Sequence, residues 1–355
     1  MLALLQQLEN MMTHKLWTAE SLFNELKDVT LGGNVCLYTL EICEKLAPIA
    51  NKINDLKRQR NAIVLAHSYV APEIIRCVAD FVGDSYELSK LAKQTKADTI
   101  IFAAVKFMAE TAKLLSPQKD VLIPSSFNGC SLADSITAQD IRQLRKQYPN
   151  YTFICYINTS VAVKAECDIC VTSSNVYSIV EHVDSDYIYF LPDKLMGQNV
   201  VNELKRRGVN KTIKYWEGTC YVHEEYEPEM VDFVRAKNQG IKVVSHPECR
   251  SDVVDKTDFV GSTSQMINYV KQSDASSFFL LTECGLTSRL QTEVPEKSFK
   301  GTCTMCKYMK ANSLDSILAA LEAPTQQQYI YLDPQVQQKA LKCIDNMFKW
   351  VEAVT

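Results

Sequence analysis

From Asn61 to Asn312 the chain alternates short β-branched and aromatic runs with longer stretches whose apolar positions recur every three or four residues. Short apolar runs between amphipathic helices are how parallel α/β sheets are written in sequence. The pattern predicts strands at residues 63–66, 81–82, 99–105 and 121–123, ahead of Asn128-Gly129-Cys130. Four more follow at 152–157, 168–171, 187–191 and 212–216, ahead of Glu217-Gly218-Thr219-Cys220. A third set falls at 241–244, 258–260 and 277–281, with a weak last strand before Gly301-Thr302-Cys303-Thr304-Met305-Cys306. The first fifty residues read instead as helices, with Leu4, Leu5, Leu8, Met11 and Met12 at helical spacing and Thr18 as a cap for Leu22, Phe23 and Leu26.

The same order of elements occurs three times. Cys130 to Cys220 spans 90 residues and Cys220 to Cys306 spans 86, while Ser85, Ser173 and Ser262 follow one another at 88 and 89. His67, Asn158 and His246, at the ends of the first strands, are separated by 91 and 88. A period this long is a domain repeat rather than a solenoid unit. The expected fold is therefore α/β, with three similar parallel-sheet αβα domains related by pseudo-threefold symmetry around a central active site. The units run over 51–135, 136–225 and 226–312, with a helical extension at 1–50 and C-terminal helices at 313–355 packing back on the core. Open parallel sheets bind ligands at their strand C-terminal ends, so three such edges can share one cavity.

Composition narrows the function. With 38 Lys and Arg against 42 Asp and Glu, a net charge of -4 and only short basic clusters, the chain has no electrostatic footprint for nucleic acid. No apolar run reaches the ~18–20 residues of a membrane helix, and no basic residue precedes the N-terminal apolar stretch as in a signal peptide. A cytoplasmic protein is expected, so its 13 cysteines are not expected to form structural disulfides. Most of them read as small buried hydrophobes: Cys36, Cys43, Cys77 and Cys343 in helix-like segments and Cys155 within an apolar run.

Cys130, Cys220 and Cys306 are different, because each follows the fourth strand of its repeat. Three thiolates meeting at an axis suit either a catalytic zinc with one open position or an iron–sulfur cluster with one iron free of protein ligand, and the spacing leaves both open. His67 and Tyr69, Tyr156 and Asn158, and His246 with Glu248 end the three first strands. Polar side chains at equivalent places in three repeats are hard to attribute to packing. Glu248 reads as an acid/base group if burial raises its pKa. Ser85, Ser173, Ser262 and Thr263 precede helices, where helix capping and anion binding are both served. The absence of a Gly-rich dinucleotide or Walker loop disfavours a nucleotide cofactor.

These segments resemble the quinolinate synthase family. The resemblance is carried by Leu65-Ala66-His67-Ser68-Tyr69, Gly83-Asp84-Ser85, Phe107-Met108-Ala109-Glu110, Gly129-Cys130-Ser131, Tyr156-Ile157-Asn158-Thr159-Ser160 and Thr172-Ser173-Ser174-Asn175. It continues through Phe190-Leu191-Pro192-Asp193, Trp216-Glu217-Gly218-Thr219-Cys220-Tyr221-Val222-His223, His246-Pro247-Glu248-Cys249, Gly261-Ser262-Thr263 and the stretch after Cys306. The resemblance implies condensation of iminoaspartate with dihydroxyacetone phosphate in NAD biosynthesis. It also implies one 4Fe-4S cluster on Cys130, Cys220 and Cys306, with Cys303 as an alternative third ligand or a redox partner. By motif, His67, Ser85, Tyr156, Asn158, Ser173, His246, Glu248, Ser262 and Thr263 hold substrate, and Tyr69, Glu248 and His223 are the catalytic set. An enzyme that makes iminoaspartate from aspartate is the implied functional partner. From the residues alone, a three-thiolate zinc enzyme and a non-catalytic small-anion binding protein remain the competing readings.

Overall fold

The computed structural model describes residues 15–31, 35–301 and 304–354. Helix Ala19–Leu26 is capped by Thr18, whose hydroxyl accepts the Ser21 N–H at 3.1 Å, as the sequence suggests. The segment after it does not continue as helix. Strands β1 (Thr30–Leu31) and β2 (Val35–Cys36) pair antiparallel, so Cys36 lies on a strand rather than a helix. Helix Leu40–Gln59 then leads into the first sheet. The stretch from Leu4 to Met12, His14 and Cys303 lie outside the described residues.

Three four-stranded parallel sheets follow. The first is β3 (Ala62–His67), β4 (Phe81–Gly83), β5 (Thr99–Ala103) and β6 (Asp120–Leu122). The second is β7 (Thr152–Tyr156), β8 (Ile169–Val171), β9 (Tyr187–Leu191) and β10 (Thr212–Tyr215). The third is β11 (Lys242–Ser245), β12 (Phe259–Val260), β13 (Ser277–Leu281) and β14 (Ser298–Lys300). Each predicted strand is present, with ends displaced by one or two residues. All three sheets share one strand order, in which the first strand of the set lies between the second and the third, and the fourth lies outside the third.

That order has a consequence for the site. The chain leaves the first strand toward one edge and returns to its other side for the third, so the topological switch falls between first and third strands. The residues just past those strands therefore flank the natural crevice of every sheet. Helices cover both faces, which is why the central strands are apolar without alternation; in β3 only Ile63 is not fully buried.

The C-terminal helices close the fold. Helix Leu314–Glu322 packs on Leu40–Gln59, and helix Pro334–Val354 lies over β8 and the short helices Val161–Lys164 and Val176–His182. Helix Lys194–Arg206 meets β10 so closely at Gly197 that an added Cβ would stand 2.8 Å from the Tyr215 Cβ. Gly197→Ala should therefore destabilise the fold by about 1–3 kcal/mol through overpacking, read as a lower urea midpoint; an unchanged midpoint would contradict this packing.

Candidate active site

The switch crevices of the three sheets open into one cavity of about 620 Å³, mouth included. The first sheet contributes His67, the last residue of β3, Tyr69 past it, and Asp84 with Ser85 past β4. From the second come Tyr156, the last residue of β7, Asn158 past it, and Ser173 past β8. His246, Glu248, Thr263 and Glu283 come from the third. Cys130, Cys220 and Cys306, each reached after a fourth strand, also lie on the wall.

Local structure explains these placements. Asp84 caps helix Ser85–Gln94, accepting the Tyr86 and Glu87 N–H groups at 3.0 Å, so Ser85 is free of capping duty and faces the cavity. Ser173 precedes a helix that starts only at Val176, and it does not cap it. Ser262 caps helix Thr263–Gln272 by accepting the Gln265 N–H at 3.3 Å and lies outside the cavity wall. Its neighbour Thr263 lies on the wall, with a buried hydroxyl that has no hydrogen-bond partner in the protein. An orphaned hydroxyl of this kind is a place for a ligand's polar atom.

At the centre is a chain of hydrogen bonds that crosses all three repeats. Tyr156 Oη donates to Glu248 Oε1 at 2.6 Å, and His223 Nδ1 lies 3.0 Å from Glu248 Oε2. His223 Nε2 lies 3.0 Å from Thr282 Oγ1, which in turn meets the Tyr69 hydroxyl. With Glu248 ionised, one donor order satisfies every member: Tyr69 O–H to Thr282, Thr282 O–H to His223 Nε2, and His223 Nδ1–H to Glu248. His246 stacks on His223 with ring centroids 4.7 Å apart, and His67 meets the Tyr69 ring edge-on at 4.6 Å.

Glu248 is 2 % exposed, and burial alone would raise its pKa as the sequence suggests. The structure reverses that expectation. His223, His246 and the Tyr156 hydroxyl together outweigh desolvation and hold the carboxyl below the ordinary glutamate range. Burial also dominates the two neighbouring histidines, pushing His67 and His246 down to about 3 and keeping both neutral at pH 7. Burial pushes the Tyr69 and Tyr156 hydroxyls up, so both stay protonated.

Several members of the site went unread in the sequence. Glu283 is fully buried past β13, where Oε1 accepts the Cys306 N–H at 3.1 Å and Oε2 the Gly285 N–H at 2.6 Å. Lys310 pairs with it at 2.9 Å and also donates to the Tyr69 carbonyl at 2.6 Å, joining the Cys306 loop to the first repeat. Thr282 bridges Tyr69 and His223, and buried Asp193, read in the sequence only as part of the Phe190-Leu191-Pro192-Asp193 motif, caps helix Lys194–Arg206 behind the cavity wall. All three strand-end residues, Asp193, Thr282 and Glu283, follow third strands. Polar residues after β9 and β13 were the available signal.

The protein alone favours the protonated form of the three thiols. Burial raises all three thiols, Cys130 to about 12, although backbone N–H groups of Ala133 and Leu132 point at Cys130 and those of Met309 and Tyr308 at Cys306. Among the described residues, the His, Cys, Asp and Glu groups whose ligating atoms all lie within 4.8 Å of one another reduce to Cys220, His223 and Glu248.

Three like parallel sheets, turning their switch crevices onto one cavity with a thiol from each repeat and a buried hydrogen-bond chain, define a three-unit α/β enzyme. The profile of the quinolinate synthetase A protein (NadA) family matches residues 51–349. Quinolinate synthase of Sinorhizobium medicae is 44% identical over 92% of this chain and 87% of its own length. Quinolinate synthase 2 of Mesorhizobium japonicum is 45% identical over 83% of this chain and 89% of its own, and the Clostridium acetobutylicum quinolinate synthase is 44% identical over 84% and 97%. The chain belongs to the quinolinate synthase family. No helix among the described residues is long and apolar enough to cross a membrane.

The neutral histidines make stability depend on pH. His67 and His246 titrate lower in the folded chain than in the unfolded one, so below pH ~6.5 only the unfolded chain takes up their protons. Their contribution is whole above that pH and falls as pH drops toward 3, at roughly 1 kcal/mol per unit for each histidine. Urea midpoints measured at pH 7 and pH 5 should show the loss; equal midpoints would contradict neutral burial.

Proposed function

We propose that this chain condenses iminoaspartate with dihydroxyacetone phosphate to quinolinate, releasing phosphate and water, with one 4Fe-4S cluster on Cys130, Cys220 and Cys306. The observation that carries the reading is three thiols, one from each repeat, on the wall of one cavity. The three sulfurs do not all lie within 4.8 Å of one another. A single zinc would need its sulfurs about 3.8 Å apart at ~2.3 Å bonds, so the wider setting favours a cluster. Backbone N–H groups aimed at Cys130 and Cys306 suit sulfurs that carry cluster charge. When bound, the cluster supplies an open iron as a Lewis acid for the loss of water.

The chain's own residues supply orientation and protons. Ser85 and Thr263, at the first turns of ten-residue helices, offer hydroxyls and a positive helix end to the substrate carboxylates. Neutral His67 and His246, with Tyr156, Asn158 and Ser173, complete the polar wall. Although burial opposes it, His223 and the Tyr156 hydroxyl hold Glu248 as a carboxylate. That carboxylate fixes the His223 tautomer, while Tyr69 Oη passes protons along the relay through Thr282. The substrate imine implies a functional link to an enzyme that makes iminoaspartate from aspartate.

A second reading has one observation behind it: Cys220, His223 and Glu248 are close enough to ligate one metal ion. The His223–Glu248 hydrogen bond already accounts for two of those atoms.

In protein prepared without oxygen, Cys220→Ser should lose visible absorption and quinolinate formation together while keeping its circular dichroism. A colourless, fully active Cys220→Ser protein would refute the assignment. Glu248→Gln should keep the chromophore and lose turnover by about 100-fold or more, and unchanged kinetics would remove Glu248 and its relay from the proton path.

A further inference from the structure

Away from the cavity, four thiols converge under the C-terminal helix. Cys155 lies on β7, and its Cα partner on the neighbouring strand β8 is Cys170. Cys167 stands just before β8, and Cys343 comes down from helix Pro334–Val354 to bring its sulfur 3.6 Å from that of Cys155. The Cys343 thiol is in hydrogen-bond contact with Cys155, the Cys170 thiol donates to the Val171 carbonyl at 3.8 Å, and Cys167 and Cys170 stand close enough to act on the Cys155 charge. Cys155 is therefore the hub of a star.

The surroundings favour charge on the hub. The Lys164 ammonium is fully buried, and its hydrogen bonds go to neutral oxygens, the Ile157 carbonyl at 2.8 Å and the carbonyl and hydroxyl of Thr159. Burial opposes ionisation of Cys155, but the three neighbouring thiols together with Lys164 outweigh it and lower this pKa, while the other three thiols are pushed up. One acidic thiol among three protonated ones is the arrangement of a reactive cysteine beside resolving partners. The star does not suit a metal ion, since no trio of these sulfurs falls within 4.8 Å of one another.

We propose that this cluster is a peroxide-reactive disulfide site in which Cys155 is the nucleophile and Cys343 the resolving thiol. The Cys155 sulfur attacks one oxygen of hydrogen peroxide, the O–O bond breaks, and one water leaves as Cys155 becomes a sulfenic acid. The Cys343 sulfur then displaces the sulfenic oxygen as a second water, forming the Cys155–Cys343 bond. Two thiols give up two electrons and two protons, and the peroxide is reduced to two waters. Cys343 resolves because its sulfur is the one in direct contact with Cys155.

The product ties helix Pro334–Val354 to β7, whose next residue is Tyr156, the donor to Glu248. Cys155 is 0% and Cys343 1% exposed, so peroxide enters as the helix opens locally, and the crosslink accumulates slowly rather than at once.

The test is disulfide mapping of the intact holoenzyme after graded hydrogen peroxide, with free thiols alkylated before digestion. A crosslinked Cys155–Cys343 peptide should grow with exposure and disappear on reduction, while Cys249, buried against the Leu281 carbonyl, stays alkylatable. Cys155 and Cys343 alkylated to the same extent as Cys249, or a Cys167–Cys170 disulfide in their place, would overturn the proposal. In Cys343→Ala, Cys155 should instead accumulate a dimedone adduct, and no adduct in the folded variant would remove Cys155 as nucleophile.

Discussion

A buried carboxylate that must stay ionised is the constraint around which this site is built. Glu248, from the third repeat, has almost no contact with water, and a lone charge in that position would protonate instead. It is held by Tyr156 and His223 of the second repeat, and His223 reaches Tyr69 of the first through Thr282 of the third. Removing any partner would leave a donor or a charge unmatched in a low-dielectric interior. The same bonds therefore seat the three units against one another and line up the polar groups that face the cavity.

Strand order does the rest of the positioning. Because every sheet places its first strand between the second and third, each repeat delivers first-strand and third-strand ends to one crevice. The fourth strand leads out to the loop that carries a cysteine. Glu283 and Lys310 then fix the Cys306 loop to its own repeat and to the Tyr69 backbone, so the third thiol is anchored by an ion pair to a buried carboxylate as well as by its chain.

The central strands were legible because burial on both faces writes them as uninterrupted apolar runs, whereas half-exposed β14 showed only weakly, and the repeat was legible because polar residues recur at the strand ends. The Thr30–Leu31 and Val35–Cys36 hairpin was not, since two-residue strands are too short to show an alternation. Glu248 could be placed but its charge could not, because that depends on His223 and Tyr156, which lie 25 and 92 residues away. Asp193 and Glu283 look like ordinary loop acids until the third strands are set beside the first. The thiols around Cys155 were hidden in the same way, with Cys343 separated from it by 188 residues.

The most direct test of the central claim, that three thiols from three repeats hold one iron–sulfur cluster, is iron, zinc and acid-labile sulfide analysis on protein purified without oxygen. About four irons and four sulfides per chain, with broad visible absorption, is the expected result. A colourless protein with one zinc per chain would leave the three sheets and the relay in place and contradict the cluster.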